Sequence, residues 1–317
     1  MNLNALAGRL SQRARGPVQS NYPLSGLTTY RVGGPAGIYF EPVDVDDVGV
    51  LGEVLHDAPD TPVLVLGRGS NLVISDAGCP GIILRLGMSF SWIRANDDGQ
   101  GGRDTGMVAG SATPLPLLAN WAARRSLTGL EFAVAIPGSV GGGVRMNAGA
   151  HGGEIVDTVR AATIFDVRTR KVAQWGTSDL GLTYRHSELA DHHVVLDATF
   201  QLSFDDETAV RTRMESYRKH RAETQPGAVQ NAGSTFKNPP GDSAGRIVEA
   251  AGLKGFRVGG VAVSDLHANF FIAAEGARAQ DVYDLVHEIR RLVRERMGVE
   301  LHPEVRFVGD FARTRLD

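Results

Sequence analysis

Seven glycines lie within the seventeen residues from Pro137 to Gly153, and this density constrains the fold more than any other feature of the chain. A glycine inside a regular helix or strand costs about 0.5–1 kcal/mol relative to alanine, so stability does not explain the cluster. The segment also contains Val140, Val144 and Met146 and lacks the polarity of a flexible linker. We interpret it as a loop that follows an extended ligand closely, since glycine lets the backbone approach a ligand.

A second glycine-rich turn, residues 67–71 (GRGSN), follows the apolar run 61–66, which predicts a buried strand. Consecutive main-chain amides after a strand form a nest for anions, and Ser70 and Asn71 add side-chain donors. The turn lacks the third glycine of a Rossmann fingerprint and the GK[ST] end of a P-loop, and a strand is predicted to follow it. A tight turn without a ligand is the alternative for this segment alone. Two such segments together indicate a long ligand with a diphosphate, and a dinucleotide cofactor is the natural candidate.

Three further segments carry chemically useful side chains. Residues 231–239 (NAGSTFKNP) bring together the hydroxyl of Ser234, the amine of Lys237 and the carboxamide of Asn238. Arg185 precedes a predicted strand, and Glu304 opens the last one. The alternative is an irregular loop in which Ser234 bonds its own backbone, with Arg185 and Glu304 as surface charges.

Charge and composition exclude several classes of protein. The 317 residues include 33 basic and 36 acidic ones, so no basic field draws the chain to nucleic acid or to an anionic membrane. The single cysteine, Cys79, excludes an internal disulfide and a cysteine-based metal cluster, and it fits a reducing compartment. No run approaches the roughly 18 apolar residues of a membrane span, and the first residues make a poor secretory signal. We expect a soluble cytoplasmic protein without a metal.

The apolar pattern changes near residues 205–215. A mostly β part precedes this point, with strands expected at 36–40, 61–66, 72–74, 82–86, 159–167, 171–175 and 194–204. An α+β part follows it, and its strongest helix is predicted over Asp281–Met297 with Gly298 as the stop.

Four local features of the first part are also predicted. A short amphipathic helix is expected over Val45–Leu55, and residues 90–94 and 107–109 are expected to flank a hairpin loop. A helix is predicted to start at an N-cap Thr113 and to run to about Leu127. The adjacent His192 and His193 are expected to face opposite sides of a strand.

The motifs, taken in order, resemble the UDP-N-acetylenolpyruvoylglucosamine reductases, which act in the cytoplasmic route to peptidoglycan precursors. No single motif is decisive, but the ordered set covers nearly the whole chain. The chain lacks the tyrosine-bearing insertion of one branch and so resembles the shorter second type. The matching pieces are TTYRVGGPA (28–36), LGRGSNLVISDAG (66–78), GLEFAVAIPGSVGGGVRMNAGAHGGEI (129–155), YRHSEL (184–189), NAGSTFKNP (231–239), AGLKGFRVGGVAVSDLHANFFI (251–272) and PEVRFVG (303–309).

The resemblance implies an α+β fold of two functional parts. A two-subdomain FAD-binding fold of the vanillyl-alcohol-oxidase type is expected over 1–208, with subdomains of roughly 1–78 and 79–208. A smaller α+β substrate-binding domain is expected over 209–300, and a C-terminal strand and tail over 301–317.

The resemblance also implies FAD, bound non-covalently, and NADPH as co-substrate. NADPH would reduce the flavin, and the reduced flavin would give a hydride to C3 of the enolpyruvyl group of a UDP-sugar. His151, where the family often has tyrosine, is expected near the cofactor without a catalytic role. The residues expected to bind the cofactor are Gly67, Arg68, Gly69, Ser70, Asn71, Pro137, Gly138, Ser139, Gly141, Gly142, Asn147, Ala148 and Gly149.

Three residues match the catalytic residues of the family. Ser234 matches the proton donor to C2, and Arg185 and Glu304 match the residues beside the developing enolate. An arginine fork suits the substrate carboxylate, and a cation there stabilises the charge that hydride addition creates. Because a serine hydroxyl is a weak acid, we expect a cation to assist it, and Lys237 is close in sequence. Lys237, Asn238 and Arg246 are the expected substrate-binding residues, with solvated surface charge as the alternative for the two cations.

Two other interpretations stay open at this point. The first is an oxidase of the same flavin fold that passes electrons to oxygen. The second is a regulator that binds a UDP-sugar or nucleotide and has lost the chemistry. The segments 231–239 and 303–309 argue against the first, and the joint presence of Arg185, Ser234 and Glu304 argues against the second. A UDP-sugar and NADPH are the expected partners, and no protein partner can be inferred.

Overall fold

The computed structural model describes residues 2–96, 105–227 and 229–312. Its helices, in chain order, are α1 (Leu3–Arg13), α2 (Val45–His56), α3 (Leu115–Ala123), α4 (Val140–Met146), α5 (Ile155–Thr158), α6 (Thr177–Leu180), α7 (Glu207–Thr224), α8 (Ala244–Ala250) and α9 (Ala279–Met297). Its strands are β1 (Val18–Pro23), β2 (Pro35–Phe40), β3 (Val63–Val65), β4 (Leu72–Ile74), β5 (Cys79–Leu84), β6 (Ile93–Ala95), β7 (Gly106–Gly110), β8 (Leu127–Thr128), β9 (Gly149–Ala150), β10 (Gly153–Glu154), β11 (Val159–Asp166), β12 (Lys171–Gly176), β13 (His193–Gln201), β14 (Ser203–Phe204), β15 (Arg257–Val258), β16 (Val261–Val263), β17 (Phe271–Ala273) and β18 (Arg306–Val308).

The chain divides into two units, each assembled from separate stretches. The mixture of helices and strands confirms the expected α+β class. The domain limits drawn from the sequence (1–208, 209–300 and 301–317) stay a prediction beside this division. Unit 1 comprises Met1–Ser20, Ile38–Arg68 and Gly81–Arg221, and unit 2 comprises Asn21–Gly37, Gly69–Pro80 and Ala222–Asp317.

Unit 1 is built on two sheets. The first has the order β1-β2-β5-β3, and its strands β3 and β5 run parallel. The second is antiparallel, with the order β12-β11-β13-β7-β6. Two apolar clusters fill the unit: one surrounds the buried Leu51 and Phe40, and the other surrounds the buried Leu118 and Phe200.

Local sequence signals explain part of unit 1. Strands β6 and β7 pair with Ile93 opposite Ala109, which confirms the predicted hairpin; its loop at 97–104 lies outside the described residues. Helix α2 covers the predicted amphipathic segment. The adjacent His192 and His193 do not face opposite sides, because β13 begins only at His193 and their ring centroids lie 4.4 Å apart.

The glycine-rich segment and the helix near Thr113 both differ from the predictions. Residues 140–146 form helix α4, so the loop interpretation is wrong for them. The glycines permit close packing: a Cβ on Gly141 would lie 3.0 Å from the Cβ of Ser111. Helix α3 starts after Pro114, because the hydroxyl of Thr113 donates to the carbonyl of Trp92 and caps nothing. It ends at Ala123 rather than near residue 127, where the chain forms β8 instead.

Unit 2 has its own core around a three-stranded sheet and helix α9. The antiparallel sheet has the order β15-β16-β17, and β4 pairs in parallel with β18. One face of α9 is buried, including Leu285 and Ile289, and Gly298 ends it in the left-handed conformation, as predicted. Asp76, which follows β4, accepts hydrogen bonds from the amides of Ala279 and Gln280 and so caps the helix.

Candidate active site

A cavity of about 320 Å³ lies within unit 1, where the two glycine-rich segments meet. Gly67 and Arg68 contribute from the first segment, and Ser139, Gly141 and Gly142 contribute from the second. A Cβ on Gly67 would lie 2.8 Å from the Oγ of Ser139, closer than real Cβ contacts. The two segments therefore approach each other closely at Gly67, where a larger residue would require the Ser139 side chain to move.

The lining of this cavity combines apolar walls with groups suited to an anion. Arg68, Arg85 and Arg145 line it together with the acidic Glu41. The Oγ of Ser111 lines it too, buried and without a hydrogen-bond partner among the described residues. Apolar side chains, such as those of Leu66, Leu117 and Val195, suit a flat ring system. Buried polar groups normally have partners, so the orphaned hydroxyl and the cations fit a bound dinucleotide.

Arg145 and His193 show how part of the lining is held. The guanidinium of Arg145 donates to the carbonyls of Leu189 and Ala190 at 2.7 and 2.8 Å and to Asp191 at 2.6 Å. Burial lowers the pKa of His193, and the neighbouring charge of His192 lowers it further. Both effects disfavour the charged form of the imidazole.

The remaining residues of the first glycine-rich segment belong to unit 2. Gly69 has φ +62°, and a Cβ there would lie 2.0 Å from the carbonyl oxygen of Leu27, so only glycine fits. The side chain of Asn71 donates to the carbonyl of Glu304 at 3.1 Å, and the amide of Arg306 donates to the carbonyl of Asn71 at 3.0 Å. Asn71 thus holds the backbone of an expected catalytic residue. Its predicted contact with the cofactor, like that of Gly69 and Ser70, stays a prediction.

The remaining residues of the second segment do not line the described part of this cavity, so their cofactor contacts also stay predictions; they are Pro137, Gly138, Asn147, Ala148 and Gly149. The fully buried Asn147 has a clear structural role in unit 1. Its side chain donates to the carbonyl of Thr183 at 3.0 Å and accepts from the amide of Val156 at 2.9 Å. Its backbone is left-handed, with φ +40°, where asparagine is more tolerant than most residues. It ends helix α4 and ties the segment to the region of Arg185.

The guanidinium of Arg185 lies against the second glycine-rich segment. Its Nη2 donates to the carbonyl of Gly149 at 2.8 Å, and its Nη1 lies 3.4 Å from the carbonyl of Asn147. The side chain is only 15% exposed, and its backbone is left-handed with φ +54°. The bond to Gly149 and the partly buried position hold the guanidinium next to this segment.

Glu154 is a functional candidate that the sequence reading missed. Its Oε1 lies 3.4 Å from Nη1 of Arg185, and its Oε2 accepts from Nδ2 of Asn147 at 2.9 Å. Its position after two glycines, within the piece that matches the family, is the only signal that the sequence offered. The carboxylate links Arg185 to Asn147 and fixes both relative to α4.

Ser234 lies in unit 2 on a segment that two other parts of the chain hold. It forms a β-bridge with Phe270, and the amide of Thr235 donates to the carbonyl of Asn269 at 2.8 Å. On the other side, the amide of Glu304 donates to the carbonyl of Thr235 at 2.8 Å. The fold therefore brings Ser234 and Glu304 together although they are far apart in sequence.

Asn269 is a second residue that the sequence reading did not single out. It is 2% exposed, and its side chain accepts from the amide of Phe236 at 2.9 Å and donates to the carbonyl of Phe236 at 2.8 Å. The side-chain amide of Asn269 thus makes the two backbone hydrogen bonds with Phe236 that a neighbouring strand would otherwise make, on the segment that carries Ser234. Buried bonds of this kind are costly to remove, because both backbone groups of Phe236 would be left unsatisfied.

The expected substrate-binding residues of unit 2 have different surroundings. The backbone amide of Lys237 donates to the carbonyl of His302 at 2.9 Å, close to Glu304 in the chain. The side-chain oxygen of Asn238 accepts from the amide of Ala244, at the start of α8. Arg246 is exposed and forms an ion pair with Asp242, four residues earlier. Lys237 and Asn238 follow directly after the held segment, whereas Arg246 is engaged on the surface.

In the described part of unit 1, three side chains that could bind a metal ion lie close together. Ligand atoms of Asp166, His192 and His193 lie within 4.8 Å of one another. The ring Nδ1 of His193 already accepts from the amide of Ala190, and Asp166 accepts from Thr169 and from two backbone amides. These atoms are therefore engaged by the protein itself.

Comparisons with known proteins identify the family of this chain. A family model for an FAD-binding domain matches residues 36–171, and a model for the C-terminal domain of UDP-N-acetylenolpyruvoylglucosamine reductase matches residues 225–308. The reductase of that name from Acidiphilium cryptum is 42% identical over 295 residues, which cover 93% of this chain and 92% of the relative. The Bacillus pumilus reductase is 38% identical, covering 96% of this chain and 98% of the relative.

Solved structures agree as well. The crystal structure of the reductase from Thermus caldophilus matches with a TM-score of 0.76 and 35% identity, covering 93% of this chain and all of that one. Together with the FAD-binding family model, it confirms the expected FAD-binding fold. In the described residues, every helix is too short or too polar to cross a membrane.

Proposed function

The chain belongs to the UDP-N-acetylenolpyruvoylglucosamine reductase family, and from this premise we propose that Arg185, Ser234 and Glu304 carry its chemistry. The enzyme is an FAD-dependent oxidoreductase. It reduces UDP-N-acetylglucosamine enolpyruvate to UDP-N-acetylmuramate with NADPH, a step in the synthesis of peptidoglycan precursors. The observation that supports the proposal is the bond between the Glu304 amide and the carbonyl of Thr235, the residue that follows Ser234.

The cavity in unit 1 supplies the cofactor site in this proposal. The residues that line the cavity would hold FAD, which would supply the hydride-transfer chemistry between NADPH and C3 of the enolpyruvyl group. Gly67, Gly141 and Gly142 would let the ring system and the diphosphate of FAD approach main-chain amides. Arg68 and Ser139 would supply further hydrogen-bond donors. The cofactor is held without a covalent bond. Asn71, the last residue of the first glycine-rich segment, serves unit 2 through its bond to the carbonyl of Glu304.

Each catalytic residue has a separate task. Arg185 binds the carboxylate of the enolpyruvyl group and stabilises the negative charge that develops beside it. Ser234 gives its proton to C2, and Lys237 supports the loss of that proton by its positive charge. Glu304 orients the acid and the substrate from the stretch that precedes β18. Asn238 and Arg246 contact the UDP-sugar.

The reaction partners are two small molecules, a UDP-sugar and NADPH. Because both the substrate and the reductant are products of cytoplasmic metabolism, we place the enzyme in the cytoplasm. The ordinary charge balance of 33 basic and 36 acidic residues agrees with small-molecule partners.

Visible absorption and two anaerobic reactions test the proposed function. The purified protein is expected to be yellow, to lose its colour with NADPH, and to regain it when UDP-N-acetylglucosamine enolpyruvate is added without oxygen. Rapid reoxidation by air with no effect of the enolpyruvyl substrate would favour a flavin oxidase. A colourless protein that binds UDP-N-acetylglucosamine and leaves NADPH untouched would favour a regulator without the chemistry.

A further inference from the structure

Helix α7 presents three side chains to the glycine-rich segment of unit 1. Tyr217, His220 and Arg221 are spaced at i, i+3 and i+4, so they share one face of the helix. The ring of His151 stacks flat on Tyr217, with centroids 4.3 Å apart and planes 2° from parallel. The ring of His220 meets His151 edge-on at 5.6 Å. We call these four residues the α7 cluster.

Among the described residues, two side chains of the α7 cluster, His151 and Arg221, have nitrogen donors without a partner. In the described part of the chain, neither the ring of His151 nor the guanidinium of Arg221 makes a hydrogen bond or an ion pair with another residue. Burial lowers the pKa of Arg221, and burial followed by the charges of His220 and Arg221 lowers the pKa of His151. Nitrogen donors are therefore gathered here, partly buried, without an acidic side chain of the described residues against His151 or Arg221.

The backbone of His151 gives an independent indication. It is left-handed, with φ +52°, although glycine would adopt this conformation without strain. The neighbouring position is Gly152, so the segment does use glycine where the backbone requires it. The imidazole at 151 is retained at a cost in backbone strain, and its stacking on Tyr217 fixes the ring beside Arg221.

We propose that the α7 cluster is a phosphate-binding subsite for a nucleotide of the reaction, with Arg221 and His151 as the donors. This inference rests on the proposed function, which supplies two nucleotides with phosphate groups: NADPH and the UDP-sugar. Phosphate matches the cluster because a guanidinium fork and an imidazole together satisfy several of its oxygens. An anion there also offsets the repulsion within the cluster and partners the partly buried guanidinium.

Isothermal titration of the FAD-loaded protein with two fragments tests the proposal and separates the sources. The probes are 2′,5′-ADP, which carries the phosphate specific to NADPH, and UDP, which carries the diphosphate of the substrate. Arg221→Gln removes the charge, and His151→Phe keeps the stacking on Tyr217 while removing the ring nitrogens. Each variant is expected to bind one of the fragments at least about tenfold more weakly, the usual effect of losing a charge-assisted bond.

Arg218→Gln is the matched control. Arg218 lies on the same helix, but its guanidinium is paired with Glu215 and donates to Asn120. Its removal changes the net charge equally, so it is expected to leave both affinities within about twofold of the original. Circular dichroism and thermal unfolding identify any variant that has lost its fold, and in that case His151→Phe is compared alone.

The fragment whose binding is weakened identifies the nucleotide that uses the subsite. Weaker binding of 2′,5′-ADP assigns the subsite to NADPH, and weaker binding of UDP assigns it to the substrate. Unchanged affinity for both fragments, failure of the unmodified protein to bind either, or an equal loss in Arg218→Gln overturns the proposal. These measurements need no turnover. A protein that binds a fragment through Arg221 but does not pass electrons to the enolpyruvyl substrate refutes the proposed function and keeps the subsite.

Discussion

The carboxylate of Glu154 lies 3.4 Å from the guanidinium of Arg185 and accepts a second contact from the side chain of Asn147 at 2.9 Å. Arg185 also donates to the carbonyl of Gly149 and lies 3.4 Å from that of Asn147, so two residues of the glycine-rich segment, together with Glu154 directly after it, hold its position. A cation that must meet a substrate carboxylate gains from being fixed beforehand, because no reorganisation is then needed as charge develops.

Glu154→Gln is expected to slow the reaction of reduced enzyme with the enolpyruvyl substrate by about tenfold. The amide keeps the size of the side chain but weakens the hold on Arg185, while reduction by NADPH does not require Arg185 and is expected to be unchanged. Stopped-flow measurement of the two half-reactions checks this. Glu188→Gln serves as the control, since Glu188 is exposed and pairs with His186. If both half-reactions slowed equally, or if Glu188→Gln had the same effect, the positioning role of Glu154 would be refuted.

Gly142→Ala is expected to weaken FAD binding by about tenfold without destabilising the protein free of FAD. Gly142 lines the cavity, and a Cβ there would meet only the Oγ of Ser139 at an ordinary 3.6 Å. The protein itself has room for the methyl group, so the bound cofactor is the neighbour it would crowd. Gly8→Ala in α1, where the space around the Cβ is open, is the control. Titration with FAD followed by fluorescence gives the affinity; an unchanged value would place the cofactor elsewhere.

Asn269→Leu is expected to lower the free energy of unfolding by about 2 kcal/mol or more. The change fills most of the volume but leaves the amide and carbonyl of Phe236 without partners. Because the same segment carries Ser234, the reaction with the enolpyruvyl substrate is expected to slow as well. Urea unfolding measures the first effect. A variant as stable as the original would show that another group satisfies the Phe236 backbone.

The pH dependence of stability is expected to include a contribution from Glu131. Burial alone would raise the pKa of this carboxyl, but bonds from Thr128, Arg213 and the amide of Gly129 outweigh it and hold the pKa below its usual value. A depressed pKa stabilises the fold above the unfolded value of about 4.3, and this contribution is lost as the pH falls through the folded pKa.

Glu131→Gln is therefore expected to lower the free energy of unfolding at pH 7 by about 1 kcal/mol. Below about pH 4 the difference between the variant and the original protein is expected to be smaller. Thermal unfolding of the two proteins between pH 3 and pH 7 measures the gap in Tm. A gap that stays constant over this range, or that widens in acid, contradicts the assignment.

The sequence predicted those elements whose signals are local. The spacing of apolar residues and Gly298 located α9, and two short runs on either side of a polar, glycine-rich loop located the hairpin of β6 and β7. Helix α4 was not predictable in this way, because three successive glycines have low helix propensity. Packing overrides that propensity: Gly141 lies close to Ser111, which is distant in sequence.

The functional residues also divide into those that the sequence indicates locally and those that only the fold brings together. Motifs resembling a known family identified Arg185, Ser234 and Glu304 as candidates, and the meeting of Gly67 with Ser139 agrees with the inference that two glycine-rich segments share one ligand. Glu154 and Asn269 could be found only from the fold. Their partners, Arg185 and Phe236, lie 31 and 33 positions away, and nothing in the local sequence indicates those contacts.

Anaerobic stopped-flow on Ser234→Ala tests the central assignment most directly. NADPH is expected to reduce the flavin of the variant at the normal rate, because Ser234 takes no part in that step. Reoxidation by UDP-N-acetylglucosamine enolpyruvate is expected to fall at least about 100-fold, the usual contribution of a general acid. Reoxidation of the variant at the rate of the unmodified enzyme would contradict the account, since the proton for C2 would then come from another group.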